Sequence, residues 1–161
     1  MIMLLSITER KKNMSEKKVL AMNLFDNGCN CSQAVLLAFA DDFGLDSKQA
    51  VALAVPFGGG MSKQGKVCGC LSGALMVIGL QFGQQSNEIV THRGSAYNMG
   101  KLFINKFQEM FGATDCKDLI QLDLNKKADL EIAINNVFGN RCKNLVGETA
   151  ELLYQFLKDQ A

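Results

Sequence analysis

Residues 57–83 constrain the fold most, because a glycine-rich loop there leads through two cysteines directly into an apolar segment. Cys68 and Cys70 stand at the junction, and the apolar segment carries small residues at Gly73 and Gly79. An apolar segment of this length predicts a buried helix, and its small residues allow another helix to approach closely. That other helix could belong to the same chain or to a second subunit, so a homodimer is one of two open arrangements.

Helical periodicity continues through the rest of the chain, and its segments end at glycine or at Asn-Gly. One proline, no tryptophan and a hydrophobic fraction of 48% also favour helices. A length of 161 residues suits one domain. The sequence therefore predicts an all-α, single-domain multi-helix bundle. It would have about seven or eight helices around a long central helix, which starts at Ser86 or Asn87 and stops at Gly112.

The predicted domain comprises residues 14–161, because Met14 stands just before a favourable helix start. Residues 1–13 are predicted to be a poorly ordered N-terminal extension. Residues 49–56 are apolar on almost every face, which predicts a buried helix whose last turn is kinked by Pro56. Asn30 is predicted to cap the helix that begins at Cys31, and Asn140 is predicted to cap the final helix.

Charge and hydropathy exclude two classes of partner. The net charge is +1, from 17 basic and 16 acidic residues of interspersed sign, so no nucleic-acid surface is expected. The longest apolar runs are roughly half of the ~20 residues that cross a bilayer, so no membrane insertion is expected. Six cysteines without a secretion signal predict reduced thiols in a cytoplasmic protein.

Four cysteine sites fall where predicted helices begin: Cys31, Cys68 or Cys70, Cys116 and Cys142. A helix N-terminus presents free N–H groups and a positive dipole end, which favour a thiolate over a thiol. Buried cysteines also serve simply as core residues, but such cysteines are expected in the middle of apolar helix faces. The shared position therefore favours a chemical role for these thiols.

The order and spacing of several strings resemble the redox-active proteins known by their pattern as the C_GCAxxG_C_C family. The resemblance covers about residues 15–157. It implies a redox role, with Cys31, Cys68, Cys116 and Cys142 as the cysteines of the pattern. The strings are Asn-Cys-Ser-Gln-Ala-Val at 30–35, Phe-Gly-Gly-Gly-Met at 57–61, Cys-Gly-Cys-Leu-Ser-Gly-Ala-Leu at 68–75, and Phe-Gly at 111–112 before Cys116 and Cys142.

Two cysteines are additional to that pattern. Cys70 stands where the family has alanine in Cys-Gly-Ala-x-x-Gly, and Cys29 precedes the first pattern cysteine by two residues. If the two Cys-x-Cys pairs met, four thiols would cluster, but incidental replacement of small residues is the favoured interpretation. The glycines are expected to support the site by letting the loop turn tightly and bring its backbone close to a cysteine sulfur; they are Gly58, Gly59, Gly60, Gly69 and Gly73.

Two kinds of oxidoreductase chemistry stay open. Thiol–disulfide exchange needs an attacking thiolate and a neighbouring thiol, with Cys31 and Cys68 as the first predicted pair. An iron–sulfur cluster needs four thiolates, which Cys31, Cys68, Cys116 and Cys142 could supply as metal ligands. Structural zinc ranks lower, because close Cys-x-x-Cys pairs are missing.

The alternative class is a non-enzymatic protein that binds a metal or an iron–sulfur cluster for sensing or delivery. A covalent haem is not expected, because the string Cys-x-x-Cys-His does not occur. A redox partner is implied by the first class, but the sequence does not identify it.

Overall fold

A computed structural model describes residues 7–84 and 87–161, with side chains from residue 16 onward. The all-α multi-helix prediction is confirmed: within these ranges the only β-type pairing is an isolated bridge between Val67 and Asp115. Nine helices are labelled α1 (Ile7–Asp26), α2 (Cys31–Ala40), α3 (Ser47–Ala54), α4 (Gly58–Met61), α5 (Gly69–Phe82), α6 (Ile89–Phe111), α7 (Cys116–Ile120), α8 (Lys127–Ile132) and α9 (Lys143–Asp159).

Three segments of other helical types connect these elements. Single 3₁₀ turns, Asp41–Phe43 and Val55–Phe57, follow α2 and α3. A π-helical segment, Ala133–Cys142, joins α8 to α9. α1 begins at Ile7 rather than at Met14, and residues 1–6 of the predicted extension lie outside the described residues.

The interior is built on α2 and α5, which pack against each other along most of their length. Nearly all of α2 is buried, from Ser32 to Ala40, and so is most of α5. Gly73 permits this contact, because a Cβ there would lie 2.7 Å from the Ser32 carbonyl oxygen. The close approach predicted for Gly73 is therefore made with α2 of the same chain. At Gly79 a Cβ would meet nothing within 4 Å.

The C-terminal helix α9 covers this interior with one amphipathic face, and α1 packs against it. Gly147 lies against α1, because a Cβ there would lie 2.6 Å from the Met22 sulfur. Lys18 of α1 pairs with Glu148 and with Glu151, the latter at 3.4 Å. The buried face repeats at helical spacing; its residues are Leu145, Val146, Gly147, Thr149, Ala150, Leu153 and Phe156.

The longest helix of the described residues, α6, does not occupy the centre that the sequence analysis gave to it. Only Gly100, Phe103 and Phe107 are buried, all in its C-terminal half. Ile89 and Val90, at its start, are 72% and 68% exposed. α6 therefore packs on the outside of α5 through a few residues. The central position predicted from its apolar periodicity is wrong, because most of that apolar face is not buried.

The helix predicted over residues 49–56 is also less buried than expected. α3 buries only Ala50 and Ala54, whereas Val51 and Leu53 are exposed. The reason is its position, because a short peripheral helix meets α2 with one face only. Pro56 lies at the start of the 3₁₀ turn that follows α3, where the missing N–H costs little.

No helix of the described ranges combines the length and the apolar character that crossing a membrane requires.

Candidate functional site

The first turn of α2 is fixed by a capping box around Cys31. Asn30 is the N-cap residue, and its side-chain oxygen accepts a hydrogen bond from the Gln33 N–H at 3.0 Å. The Gln33 side chain accepts from the Asn30 N–H, also at 3.0 Å. Such a reciprocal pair satisfies two N–H groups that a helix start leaves free. Cys31 is therefore held as the first residue of a well-formed helix.

The same polar side chains tie α2 to the end of α3. Side chains of residues 30–33 donate hydrogen bonds to backbone carbonyls at the end of α3 and in the 3₁₀ turn that follows it. Of these, only Asn30 is identified by the sequence analysis; the Asn-x-x-Gln spacing of a capping box also marks Gln33. The bonds are Asn30 Nδ2 to the Val55 oxygen at 2.9 Å, Ser32 Oγ to the Ala54 oxygen at 2.7 Å, and Gln33 Nε2 to the Val51 oxygen at 3.1 Å.

Two predicted supporting glycines bring neighbouring backbone against the start of α2. A Cβ on Gly69 would lie 3.0 Å from the Cys31 Cβ, so the start of α5 touches the start of α2. A Cβ on Gly58 would lie 2.4 Å from the Asn30 side-chain nitrogen. A larger residue at either position would push the loop or α5 away from Cys31.

Although residues 58–61 are labelled α4, the chain from Gly59 onward forms a left-handed turn rather than a right-handed helix. Five consecutive residues have a positive φ, and three of them are not glycine. For these three the left-handed region costs roughly 1–2 kcal/mol each, so surrounding contacts must hold them there. Ser62 Oγ donates to the Pro56 oxygen at 2.9 Å, and Asn125 Nδ2 donates to the Lys63 oxygen at 3.1 Å. The φ values are 64° at Gly59, 66° at Gly60, 64° at Met61, 55° at Ser62 and 66° at Lys63.

The starts of α5 and α7 are joined by backbone hydrogen bonds. The Cys68 N–H donates to the Thr114 oxygen at 2.8 Å, and the Cys116 N–H donates to the Lys66 oxygen at 2.7 Å. Gly60 closes this contact from the side, because a Cβ there would lie 2.6 Å from the Cys116 Cβ. Cys68 is the N-cap residue of α5, and Cys116 is the first residue of α7.

Cys142 does not lie at a free helix start, which corrects the prediction that Asn140 caps the last helix. It is the last residue of the π-helical segment, and its backbone is right-handed helical with φ −65° and ψ −41°. The helical path is continuous from α8 to α9. The preceding residue, Arg141, donates from Nε to the Leu119 carbonyl oxygen and so ties this segment to α7. The sequence analysis does not identify Arg141.

Five thiols converge where these elements meet, and we refer to them as the thiol cluster: Cys31, Cys68, Cys70, Cys116 and Cys142. Cys31 forms side-chain hydrogen bonds with Cys142 and with Cys70. Cys70 is also hydrogen-bonded to Cys68, and Cys116 interacts electrostatically with Cys31 and Cys68. All are free thiols. The direct partners of Cys31 are therefore Cys142 and Cys70, rather than Cys68 as in the first predicted pair.

A comparison of the chain with models of protein families identifies its family. A family model described as "Putative redox-active protein (C_GCAxxG_C_C)" matches residues 29–156. The chain belongs to this family. Searches of curated proteins and of solved structures give no match. In this C_GCAxxG_C_C protein, all four cysteines that the pattern contributes belong to the thiol cluster, and Cys70 is the additional member.

Exposure distinguishes Cys31 from the rest of the thiol cluster. Cys68, Cys70, Cys116 and Cys142 are all less than 10% exposed, and Cys70 is fully buried. Cys31 is partly exposed, so it is the member that a second molecule can reach most directly.

The thiols also differ in the charge that each favours. Hydrogen bonds from Cys142, then from Cys70, hold the pKa of Cys31 well below that of an ordinary thiol, and its own backbone N–H adds to this. The pKa values of the two donors are raised instead. The hydrogen bond to Cys31, and then burial, raise the pKa of Cys142. The hydrogen bond to Cys31 also raises the pKa of Cys70. Among these three thiols the arrangement therefore favours the thiolate at Cys31, with Cys142 and Cys70 protonated and donating to it.

The pKa values of Cys116 and Cys29 are shifted mainly by burial. Burial, and then the charges at Cys68 and Cys31, raise the pKa of Cys116 to about 12. Burial alone raises the pKa of Cys29, with no contribution from another thiol. Of the two additional cysteines in this C_GCAxxG_C_C protein, Cys70 thus joins the cluster, whereas Cys29 lies apart from its interactions.

Chemically, this arrangement offers a thiolate next to protonated thiols. Among the side chains that the structure describes, in residues 16–84 and 87–161, no three His, Cys, Asp or Glu are arranged to hold a metal ion. The iron–sulfur and metal-binding hypotheses for Cys31, Cys68, Cys116 and Cys142 therefore stay predictions from the sequence.

Proposed function

We propose that this C_GCAxxG_C_C protein carries out thiol–disulfide exchange, with Cys31 as the attacking thiolate and Cys142 as its resolving partner. The observation that carries the proposal is the hydrogen-bonded contact between these two thiols. Exchange requires a nucleophilic thiolate and a second thiol within bonding reach of it. The partly exposed Cys31 and the buried Cys142 meet both requirements.

In the proposed reaction, the Cys31 thiolate attacks one sulfur of a disulfide on a partner molecule. The partner's S–S bond breaks, its other sulfur leaves as a thiolate, and a mixed disulfide forms at Cys31. Cys142 then transfers its proton to the departed thiolate and attacks the Cys31 sulfur, which displaces the second half of the partner. The partner disulfide is reduced by two electrons to one thiol and one thiolate, which takes a proton from the solvent, and Cys31 and Cys142 are oxidised to one disulfide.

The position of Cys31 supports its role as the nucleophile. The capping box keeps the first turn of α2 intact, so its N–H groups and the positive end of the dipole favour the thiolate. Exchange by a dithiol also fits a reducing compartment such as the cytoplasm, where thiols are kept reduced. The proposed substrate class is a disulfide of another protein or of a small molecule.

The test is the reaction of the anaerobically reduced protein with an aromatic disulfide reagent that releases a coloured thiolate. The wild type should release both halves of the reagent in a fast phase and retain none, because Cys142 resolves the mixed disulfide. Cys31→Ser should lose the fast phase. Cys29→Ser is the matched control, because Cys29 is also partly exposed but lies outside the thiol cluster. An unchanged fast phase in Cys31→Ser would contradict the proposal.

The same preparation tests the metal-binding alternative. Iron, zinc and acid-labile sulfide are measured after anaerobic purification of the wild type and of Cys31→Ser. Stoichiometric metal in the wild type that is lost in the variant would favour a binding protein over an exchange protein.

A further inference from the structure

Cys70 is the one member of the thiol cluster that the family pattern does not contain, and it occupies the most enclosed position. Its exposed fraction is 0%, and it is the second residue of α5. The start of α5 lies against Cys31, since a Cβ on Gly69 would approach the Cys31 Cβ to 3.0 Å. Cys70 is hydrogen-bonded to Cys31 on one side and to Cys68 on the other.

This contact gives Cys31 two neighbouring thiols rather than one. Thiol–disulfide exchange proceeds when a third sulfur reaches one sulfur of an existing disulfide. If Cys31 is bonded to Cys142, Cys70 is the free thiol in contact with the Cys31 sulfur. Cys68 is a less direct candidate, because its hydrogen bond is to Cys70 and not to Cys31.

We propose that Cys70 is a second exchange partner of Cys31, which receives the disulfide from Cys142. The inference rests on the proposed exchange function. In this step Cys70 loses its proton and attacks the Cys31 sulfur, so that a Cys31–Cys70 bond forms and the Cys31–Cys142 bond breaks. Cys142 leaves as a thiolate and takes up the proton. The step contains no net oxidation, because one disulfide replaces another.

The transfer keeps Cys31 in the disulfide and returns Cys142 to the thiol form. Cys31, the partly exposed member, belongs to both disulfides, so an external thiol would approach either bond through Cys31.

The test is disulfide mapping after the reduced protein is oxidised with a small disulfide. Trypsin separates the cysteines into peptides 19–48, 67–93, 107–117 and 142–143. The wild type should first show peptide 19–48 linked to 142–143, and then 19–48 linked to 67–93. Fragmentation of the second product between Cys68 and Cys70 should place the bond on Cys70. This assignment needs no variant.

Variants provide the control. Cys70→Ala should lose the link between peptides 19–48 and 67–93, whereas Cys68→Ala and Cys29→Ala should retain it. A bond at Cys68, or an undiminished link in Cys70→Ala, overturns the inference. A Cys31–Cys142 link without any link to 67–93 overturns it too but leaves the proposed function intact, whereas the absence of both links overturns both.

Discussion

Gly60 packs directly against the Cys116 side chain: a Cβ added to Gly60 would lie 2.6 Å from the Cys116 Cβ. The same Cβ would lie 2.5 Å from the Lys66 carbonyl oxygen, which accepts the hydrogen bond of the Cys116 N–H. The left-handed turn is thus part of the support for Cys116. The glycine-rich loop serves the site by making room beside a cysteine, as the sequence analysis expects.

Gly60→Ala should therefore destabilise the protein by about 2–4 kcal/mol. The side chain would have to adopt a φ of 66°, and its Cβ would be overpacked against Lys66 and Cys116. Urea unfolding measures the change. Gly94→Ala in α6 is the control, because a Cβ there meets nothing within 4 Å, and a gain of about 0.5–1 kcal/mol is expected. Equal stability changes in the two variants would contradict this account of the turn.

Asn30→Ala should lower stability and raise the pKa of Cys31. The substitution removes the cap of α2 and the bond to the Val55 oxygen, at a cost of about 0.5–2 kcal/mol. Fraying of the first turn would weaken the N–H groups that favour the Cys31 thiolate. Urea unfolding gives the stability, and the rate of alkylation as a function of pH gives the pKa.

A second N-cap supplies the matched control for that experiment. Asp46 caps α3 through its side-chain oxygen, which accepts from the Gln49 N–H at 3.0 Å. Asp46→Ala should cost a similar amount of stability but leave the alkylation profile of Cys31 unchanged, because α3 begins away from the thiol cluster. If both variants shifted the profile equally, the shift would reflect lost stability rather than the cap at Cys31.

Stability should fall at alkaline pH, partly through Cys116. Its pKa is about 12 in the folded protein, whereas an unfolded thiol ionises near ~8.5. Between these values the folded state keeps a proton that the unfolded state has lost. The contribution is fully present below the unfolded pKa, and about 1.4 kcal/mol is lost per pH unit above it.

The measurement compares urea unfolding of the wild type and of Cys116→Ala at about pH 7.5 and about pH 10. Over this interval the wild type should lose up to about 2 kcal/mol more than the variant. Leu119→Ala, in the same helix, removes a buried side chain that does not titrate. Its stability difference from the wild type should be the same at both pH values. A difference for Cys116→Ala that does not change with pH would be inconsistent with the raised pKa.

What the sequence predicts well is local. Asn30 and Cys31 stand at a helix start because a cap and the apolar spacing after it are both readable within a few residues. Cys116 is likewise the first residue of its helix. The π-helical segment before Cys142 is different, because no local signal at Asn140 distinguishes a continuing helix from a new one.

The meeting of the thiols is not readable in the same way. Cys70 touches Cys31 because α5 packs on α2 and Gly69 lets the two starts approach, which is a contact between distant parts of the chain. The sequence analysis instead favours incidental replacement of a small residue at Cys70. The wrong prediction of a central α6 has the same cause. Periodicity shows which face of a helix is apolar, but tertiary packing decides whether that face is covered.

Arg141→Lys tests whether the π-helical segment is held in place by α7. Lysine keeps the charge but loses the Nε that donates to the Leu119 oxygen, so a loss of about 1–3 kcal/mol is expected in urea unfolding. Displacement of Cys142 should also raise the pKa of Cys31, measured by alkylation. Lys143→Ala is the control, because its ion pair with Asp26 at 2.6 Å is exposed and worth at most about 1 kcal/mol. An unshifted alkylation profile in Arg141→Lys would mean that Cys142 keeps its position without this bond.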